Sequence, residues 1–158
     1  MALVYKKATS ADMDILTRTR IIVLKAANRL PDDADLSEVE KNTRGYYGSA
    51  LCDGSHTAYL VFDGDKFVGA GGISYYSVMP TCCNPDGKKA YIMNMYTHPD
   101  YRRQGIAYHT LDLLVKDAHK KGITHITLEA TDMGRPLYEK YGFAQMKSEM
   151  ELKYENTL

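Results

Sequence analysis

A short turn in the second half of the chain combines two arginines with a glycine at the start of a predicted helix. Strand-forming residues end at Thr97, and Arg102-Arg103-Gln104-Gly105-Ile106-Ala107 leads into a helical pattern that ends near Lys121. The first N–H groups of a helix have no partners inside it, and the helix dipole attracts anions to that end. Because Gly105 and Ala107 are small, a phosphate could approach the backbone closely. The turn therefore predicts a ligand that carries phosphate groups.

Two well-known phosphate motifs do not match this turn. The GxxxxGK[ST] spacing of P-loops and the GxGxxG spacing of Rossmann folds are both absent from it. Taken alone, the turn is also compatible with a surface loop that carries two solvated arginines. A second motif is needed to decide between these interpretations.

The turn resembles motif A of the GNAT superfamily of acyl-CoA-dependent N-acyltransferases, whose signature is (Gln/Arg)-x-x-Gly-x-(Gly/Ala). Arg102, Gly105 and Ala107 occupy the signature positions. A second segment, Leu137-Tyr138-Glu139-Lys140-Tyr141-Gly142-Phe143, resembles motif B of the same family. On these two motifs, in the family's order, the chain is identified as a member of the superfamily.

The resemblance implies acetyl-CoA as co-substrate and no metal. The backbone N–H of Met95, at a bulge in its strand, would polarise the thioester oxygen, and Thr97 would pair with the pantetheine arm. The N–H groups of residues 103 to 108 would hold the pyrophosphate, and Thr131 stands where the family often has Asn. The implied cofactor-binding residues are Met95, Tyr96, Thr97, Arg102, Arg103, Gln104, Gly105, Ile106, Ala107, Tyr108, Thr131 and Tyr138.

Tyr138 is the predicted general acid that protonates the leaving thiolate. A phenol titrates near ~10 and a thiol near ~8.5, so this transfer is uphill by ~2 kcal/mol and depends on positioning. The alternative is a tyrosine that only packs in the core beside Phe143.

The general base is less well defined by the sequence. Many family members place a carboxylate on the strand from Ala90 to Thr97, which here contains no Asp or Glu. Glu129 is the predicted catalytic base, and Asp132, His98 and a water chain are alternatives.

The acceptor pocket is expected between the first two helices and the region from Tyr75 to Met79. Tyr46, Tyr47, Tyr75 and Tyr76 could line it, since tyrosine offers an apolar face and a polar tip. The pocket residues leave a small amine, an antibiotic and a protein terminus or lysine as acceptors.

Charged residues near the expected pocket allow either sign of acceptor. An acidic cluster could attract a cationic amine, whereas Arg18 and Arg20 could bind an acidic one; the cluster comprises Asp32, Asp33, Asp35, Glu38 and Glu40. A CoA-binding sensor or interaction module without catalysis is the alternative function.

The composition predicts one soluble domain over residues 1–158. Twenty basic and twenty acidic residues cancel, so nothing electrostatic favours a nucleic-acid partner. Without an apolar stretch long enough for a bilayer or a signal-peptide pattern, we expect a cytoplasmic protein with no membrane partner. Cys52, Cys82 and Cys83 are expected to be free thiols, and their spacing does not indicate zinc.

The predicted element order is strand, two helices, three strands, helix, strand, helix, strand. The fold class is a mixed α/β (α+β) fold whose central sheet is mixed and largely antiparallel, and by resemblance it has helices on both faces and a splayed parallel pair that binds the cofactor. We also expect that the exposed edge of the last strand supports a homodimer. The later predicted elements are a hairpin of His56–Phe62 and Lys66–Tyr76, strands at Ala90–Thr97, Ile123–Ala130 and Lys147–Tyr154, and helices at Gly105–Lys121 and Pro136–Tyr141.

Overall fold

A computed structural model describes residues 2 to 154, and its elements follow the predicted order until the C-terminal segment. Short 3₁₀ turns at Ser10–Asp12 and Pro99–Tyr101 precede the first and third α-helices. The described strands and α-helices are β1 (Leu3–Lys7), α1 (Met13–Asn28), α2 (Ser37–Asp53), β2 (His56–Asp63), β3 (Lys66–Ser77), β4 (Lys88–Thr97), α3 (Ile106–Lys120), β5 (Ile126–Leu128) and α4 (Arg135–Tyr141).

The strands form a single sheet in the order β1-β2-β3-β4-β5. The pairs from β1 to β4 are antiparallel, and β4 pairs with β5 in parallel. This topology confirms the predicted mixed, largely antiparallel sheet. It also explains why α3 lies between β4 and β5 in the chain, since a parallel pair needs a crossover connection.

Helices cover both faces of the sheet because its strands alternate their apolar side chains. Leu60 packs with Leu16 and Tyr47 from α1 and α2 on one face. Ile73 packs with Leu111 of α3 on the other face. Each fully buried Leu or Ile contributes roughly 1.5–3 kcal/mol relative to exposure, so both faces stabilise the fold.

Glycines in β3 let α3 lie very close to the sheet. A Cβ atom on Gly71 would stand 2.6 Å from Cγ2 of Thr110 and 2.8 Å from Sδ of Met95. A Cβ atom on Gly69 would stand 3.0 Å from Cγ2 of Ile106, the first residue of α3. Because Gly69 and Gly71 have no side chains, the N-terminal end of α3 can pack directly against β3 near the end of β4.

Asp117 fixes the C-terminal half of α3 to this same face of the sheet. Its carboxylate accepts hydrogen bonds from Lys7 Nζ at 2.7 Å, Thr57 Oγ1 at 2.8 Å and the Tyr75 hydroxyl at 2.5 Å. The donors come from β1, β2 and β3. Burial by itself would raise the pKa of Asp117, but these hydrogen bonds outweigh burial and lower that pKa.

The predicted strand at Lys147–Tyr154 is wrong. No strand follows α4 within residues 2 to 154. The alternating side chains of Met150, Leu152 and Tyr154 are 97%, 76% and 83% exposed. A period-two pattern forms a strand only where a neighbouring edge receives it, and β5 offers an edge of just three residues. Residues 147 to 154 therefore offer no strand edge for the expected homodimer.

The strand predicted at Ile123–Ala130 is also shorter than expected. Ile123 is buried, but its N–H bonds back to the carbonyl of Ala118, so it caps the end of α3. Only Ile126–Leu128 pairs with β4. Apolar residues on both sides of a glycine made this boundary hard to predict.

Candidate functional site

The two parallel strands separate where the site was predicted. Their pairing ends at Ile92 and Leu128, while β4 continues to Thr97. This is the splayed pair expected from the family resemblance. The gap that it opens lies beside the N-terminal end of α3, because Ile106 at that end lies against Gly69 of β3, which pairs with Thr97 at the end of β4.

A bulge in β4 follows directly after the point of separation. Asn94 and Met95 together oppose Gly71 of β3, and Asn94 has a φ angle of 59°. A bulge re-aims backbone N–H groups away from the regular ladder. The structure thus has the bulge expected near Met95, and the Met95 side chain packs into the apolar cluster beneath α3.

The turn before α3 presents a run of unpaired backbone donors. The N–H groups of residues 103 to 108 make no hydrogen bond to any residue between 2 and 154. Gly105 has a φ angle of 82° and Arg103 one of 61°, so the chain curls tightly into the helix. Among residues 2 to 154, Arg103 is one of three non-glycine residues with positive φ, and Asn94 is another. Such conformations cluster at functional sites.

Side chains around the turn are largely directed to solvent. Arg102 donates through Nε to the carbonyl of Thr97 at 3.4 Å, and Gln104 donates to the carbonyl of Asp100 at 3.4 Å. Ile106 is buried and anchors the start of α3, with Ala107 half-buried after it. Tyr108 is 39% exposed and is therefore available to a ligand at the surface.

The end of β4 contains an unpartnered polar atom. Thr97 Oγ1 is buried and has no hydrogen-bond partner in the described part of the chain. Buried hydroxyls nearly always have a hydrogen-bond partner, which for this atom can be an ordered water or a polar group of a ligand. Tyr96 differs, because its ring stacks on Phe67 with centroids 5.7 Å apart on the α1 side of the sheet.

Tyr138 lies in the apolar cluster that also contains Met95. It is 9% exposed and packs beside Phe143 with ring centroids 6.1 Å apart. Burial raises the pKa of the Tyr138 phenol, with no hydrogen bond contributing to the shift. Thr131 is exposed, and its hydroxyl accepts the N–H of Gly134 at 3.1 Å in the turn before α4.

The three side chains considered as bases lie away from the expected acceptor pocket. Glu129 and Asp132 are exposed in the segment between β5 and α4. His98 accepts the N–H of Asp100 at 3.3 Å, in the loop before residues 102 to 107, which we call the phosphate turn after the ligand that the sequence predicts for it. None of them lines the cavity described next, and their catalytic roles stay predictions.

A cavity of about 590 Å³ lies between α1, α2 and the sheet, and we call it the Arg20 cavity. All four tyrosines expected at the acceptor pocket line it, namely Tyr46, Tyr47, Tyr75 and Tyr76. Its lining reaches Asn94, the first residue of the β4 bulge. Its volume is within the range of small-molecule sites.

His56 is a residue of this cavity that the sequence did not single out. It is 5% exposed, and its Nδ1 lies 2.9 Å from the Tyr46 hydroxyl and 3.1 Å from Ser74 Oγ. Burial, together with the positive charge of Arg20, lowers the pKa of His56 to about 4. The imidazole is therefore neutral at physiological pH, and its buried Nε2 has no partner in the described chain. The sequence places this histidine at the start of a strand, and nothing in that pattern indicates that its ring is buried in a cavity.

Among the described residues that line the Arg20 cavity, Arg20 is the single arginine or lysine, and its side chain is half-buried. Its Nη1 donates to Asn94 Oδ1 at 3.0 Å. No carboxylate of residues 2 to 154 lies within ion-pair distance of it. Burial lowers the pKa of the guanidinium, although arginine stays charged.

The other charged residues considered for the acceptor belong to a different place. Arg18, Asp32 and Glu40 line a cleft of about 860 Å³ on the outer side of α1, which we call the outer cleft. It is the larger space, but no strand residue lines it. The structure thus separates Arg20 from Arg18 and from the acidic cluster.

Residues 2 to 154 contain neither a metal-binding cluster nor a helix that could span a membrane. No group of three or more His, Cys, Asp or Glu side chains there could hold a metal ion. Among these residues, no helix combines the length and apolarity that crossing a membrane requires. Cys52, Cys82 and Cys83 are free and exposed.

Comparisons with known proteins agree with this geometry. The model of the acetyltransferase (GNAT) family matches residues 24–143. A curated relative, the uncharacterized N-acetyltransferase YsnE of Bacillus subtilis, is 27% identical over 92 residues. That match covers 55% of this chain and 55% of the relative, so the chain spans about half the length of the relative.

Solved structures extend the similarity over nearly the whole chain. A predicted acetyltransferase of Clostridium acetobutylicum, solved with acetyl-CoA, is 31% identical, with a TM-score of 0.86 and 96% of each chain covered. A GCN5-related N-acetyltransferase of Ralstonia eutropha is 24% identical, with a TM-score of 0.80 over 97% of this chain and 99% of that chain, and supports the fold. Given the family match, the splayed strands and the phosphate turn, this chain belongs to the acetyltransferase (GNAT) family.

Proposed function

We propose that the protein transfers an acetyl group from acetyl-CoA to an amine by direct attack in a ternary complex. The observation that carries this proposal is the run of unpaired N–H groups at residues 103 to 108, next to the orphaned hydroxyl of Thr97. Donors at a helix start suit a pyrophosphate, and a lone hydroxyl at the strand end suits an amide-bearing arm. The residues present therefore fit CoA. The Clostridium acetobutylicum relative solved with acetyl-CoA supports the same ligand.

The acetyl thioester supplies the activated acyl group, and the chain's residues orient it. The N–H of Met95, at the bulge, would polarise the thioester oxygen, which is an oxyanion-hole role. Tyr138 protonates the departing sulfur from α4. Its raised pKa keeps the phenol protonated until the leaving group needs the proton.

The attacking amine must lose a proton, and the Arg20 cavity contains no carboxylate for this step. His56 is neutral there but is a weak base, because its pKa is about 4. We therefore propose that water in the cavity relays the proton to solvent, and that Glu129 is a base only if its segment moves.

A CoA-binding module without catalysis is the second candidate function. The absence of Asp and Glu from the cavity lining favours it. The two candidates differ in one measurement, the release of free thiol when the protein meets acetyl-CoA and an amine. Release with any amine supports the enzyme, and tight CoA binding without release supports the module.

Tyr138→Phe tests the proposed general acid. We expect turnover to fall at least tenfold, because the phenol proton is lost while the ring still packs. Tyr141→Phe, on the same helix α4, is the matched control, since the Tyr141 hydroxyl instead donates to Asp112 of α3 at 2.9 Å. Thiol release and thermal unfolding should be measured for both. Near-normal turnover of Tyr138→Phe would show that Tyr138 only packs in the core.

A further inference from the structure

Arg20 is an unusual arginine for a protein with balanced charge. It is half-buried in the wall of the Arg20 cavity, and its one hydrogen bond to the described residues is to the amide oxygen of Asn94. A guanidinium has five N–H donors in a planar fork. Most of these donors therefore have no acceptor among residues 2 to 154. Because the guanidinium is half-buried, leaving its charge without a partner is energetically unfavourable.

The surroundings of Arg20 exclude an internal counter-ion in the described structure. The cavity lining contains no Asp or Glu. The nearby acidic residues Asp32 and Glu40 face the outer cleft with Arg18. An anion that pairs with Arg20 must therefore come with a ligand, and the cavity of about 590 Å³ has room for a small one.

The position of Arg20 relates this anion to the reacting centre. Arg20 is bonded to Asn94, and the next residue is Met95, whose N–H has the proposed oxyanion role. If the anionic group of an acceptor binds Arg20 and its amine reaches the thioester beside Met95, the two groups must lie close together in the acceptor molecule. The rings and hydroxyls of Tyr46 and Tyr76, which line the same cavity, offer apolar and polar contacts to the rest of the acceptor.

The charge count points to a carboxylate. Apart from Arg20, the lining has no arginine or lysine, and His56 is neutral. One guanidinium can form a bidentate pair with either a carboxylate or a phosphate, but its single charge neutralises a carboxylate and leaves one charge of a phosphate dianion unpaired. We infer that the acceptor is a small amine that also carries a carboxylate, of the amino-acid class, and that Arg20 binds that carboxylate. This inference rests on the proposed acetyl transfer.

The test compares protein amino acids with their amides and their decarboxylated amines. Thiol release from acetyl-CoA gives kcat/KM for each, and calorimetry with CoA-saturated protein gives Kd. We expect at least one amino acid to be preferred by about thirtyfold over both of its counterparts that lack the carboxylate, the size of a charge-assisted bidentate pair. An amine that bears a phosphate should not exceed the amino acid.

Arg20→Gln keeps an N–H donor for Asn94 and removes the charge. It should reduce the preference to about threefold or less by raising the KM of the amino acid, with the KM of acetyl-CoA unchanged. Arg18→Gln, on the same helix but at the outer cleft, should keep the full preference.

Three results would overturn the inference: no binding of any amino acid, equal use of amines with and without a carboxylate, or an equal loss for every amine in Arg20→Gln. Thiol release without a carboxylate preference would contradict this inference and still support the proposed acetyl transfer. Failure to bind CoA would contradict both the inference and the proposed acetyl transfer.

Discussion

The proposed cofactor side of the site is built from neighbouring residues, whereas the proposed acceptor side is collected from five elements. Residues 95 to 108 run from the end of β4 into α3 and present mainly backbone groups. The Arg20 cavity takes side chains from α1, α2, β2, β3 and β4. A ligand that every family member shares can be held by backbone geometry, while an acceptor that differs between members needs side chains that can change.

The two sides also differ electrostatically. The turn at residues 102 to 105 is exposed, and its arginines are in contact with solvent. Arg20 is instead half-buried and His56 is buried, and the charge of Arg20 adds to burial in lowering the pKa of His56. Substitutions in the acceptor side should therefore affect stability and pH dependence, and those in the turn mainly ligand affinity.

The largest expected effect is on the pH dependence of stability through His56. Its folded pKa of about 4 is below the ordinary value of 6.5, so the unfolded chain binds the proton more tightly. Stability is fully present above pH ~6.5 and is lost as pH falls toward ~4, by about 2.5 kcal/mol between pH 7 and pH 4.5. Urea unfolding at both pH values measures this loss.

His56→Gln is the comparison for that experiment, because it keeps hydrogen-bonding groups and cannot titrate. Its stability should change by less than about 1 kcal/mol over the same pH interval. An equal loss in the variant and the natural protein would show that other groups cause the pH dependence.

The next effect concerns the cofactor side. Gly105→Val places a branched side chain at a φ angle of 82° in the phosphate turn. We expect acetyl-CoA affinity to fall at least tenfold, since the side chain keeps phosphate from the N–H groups. Gly122→Val, at the other end of α3 with a φ angle of 73°, is the matched control.

A Cβ atom at Gly105 or Gly122 meets no atom within 4 Å, so the two variants share only the backbone cost of about 2 kcal/mol. Calorimetric titration with CoA should separate them clearly. Equal CoA affinity in both variants would mean that the turn does not bind the phosphates.

The smallest effect compares two tyrosines of the acceptor side. Tyr46 and Tyr76 are both 42% exposed and both line the Arg20 cavity. Tyr46→Phe removes the hydroxyl that bonds Ser74 at 2.7 Å and His56 at 2.9 Å, and should cost about 1 kcal/mol of unfolding free energy. Tyr76→Phe should stay within about 0.5 kcal/mol. A larger loss for Tyr76→Phe in denaturant unfolding would contradict this network.

The C-terminal segment shows where local pattern is insufficient. Met150, Leu152 and Tyr154 alternate as strand residues do, yet they are exposed beside no partner strand. In β2, the same kind of alternation is satisfied because β1 and β3 offer long antiparallel edges on either side. An alternating pattern predicts which side chains of a strand would be buried. Whether they are buried depends on a partner strand and a packed layer from elsewhere in the chain.

The sequence by itself determined the order of the elements up to α4, the mixed sheet and the phosphate turn. These depend on residues close together in the chain, such as a glycine at a helix start or a turn between two alternating runs. Only the tertiary structure decided that Arg20 and His56 share one cavity while Arg18 and the acidic residues face another. Arg18 and Arg20 differ by two positions on one helix, a rotation of about 200°, so packing against the sheet selects which one enters the site.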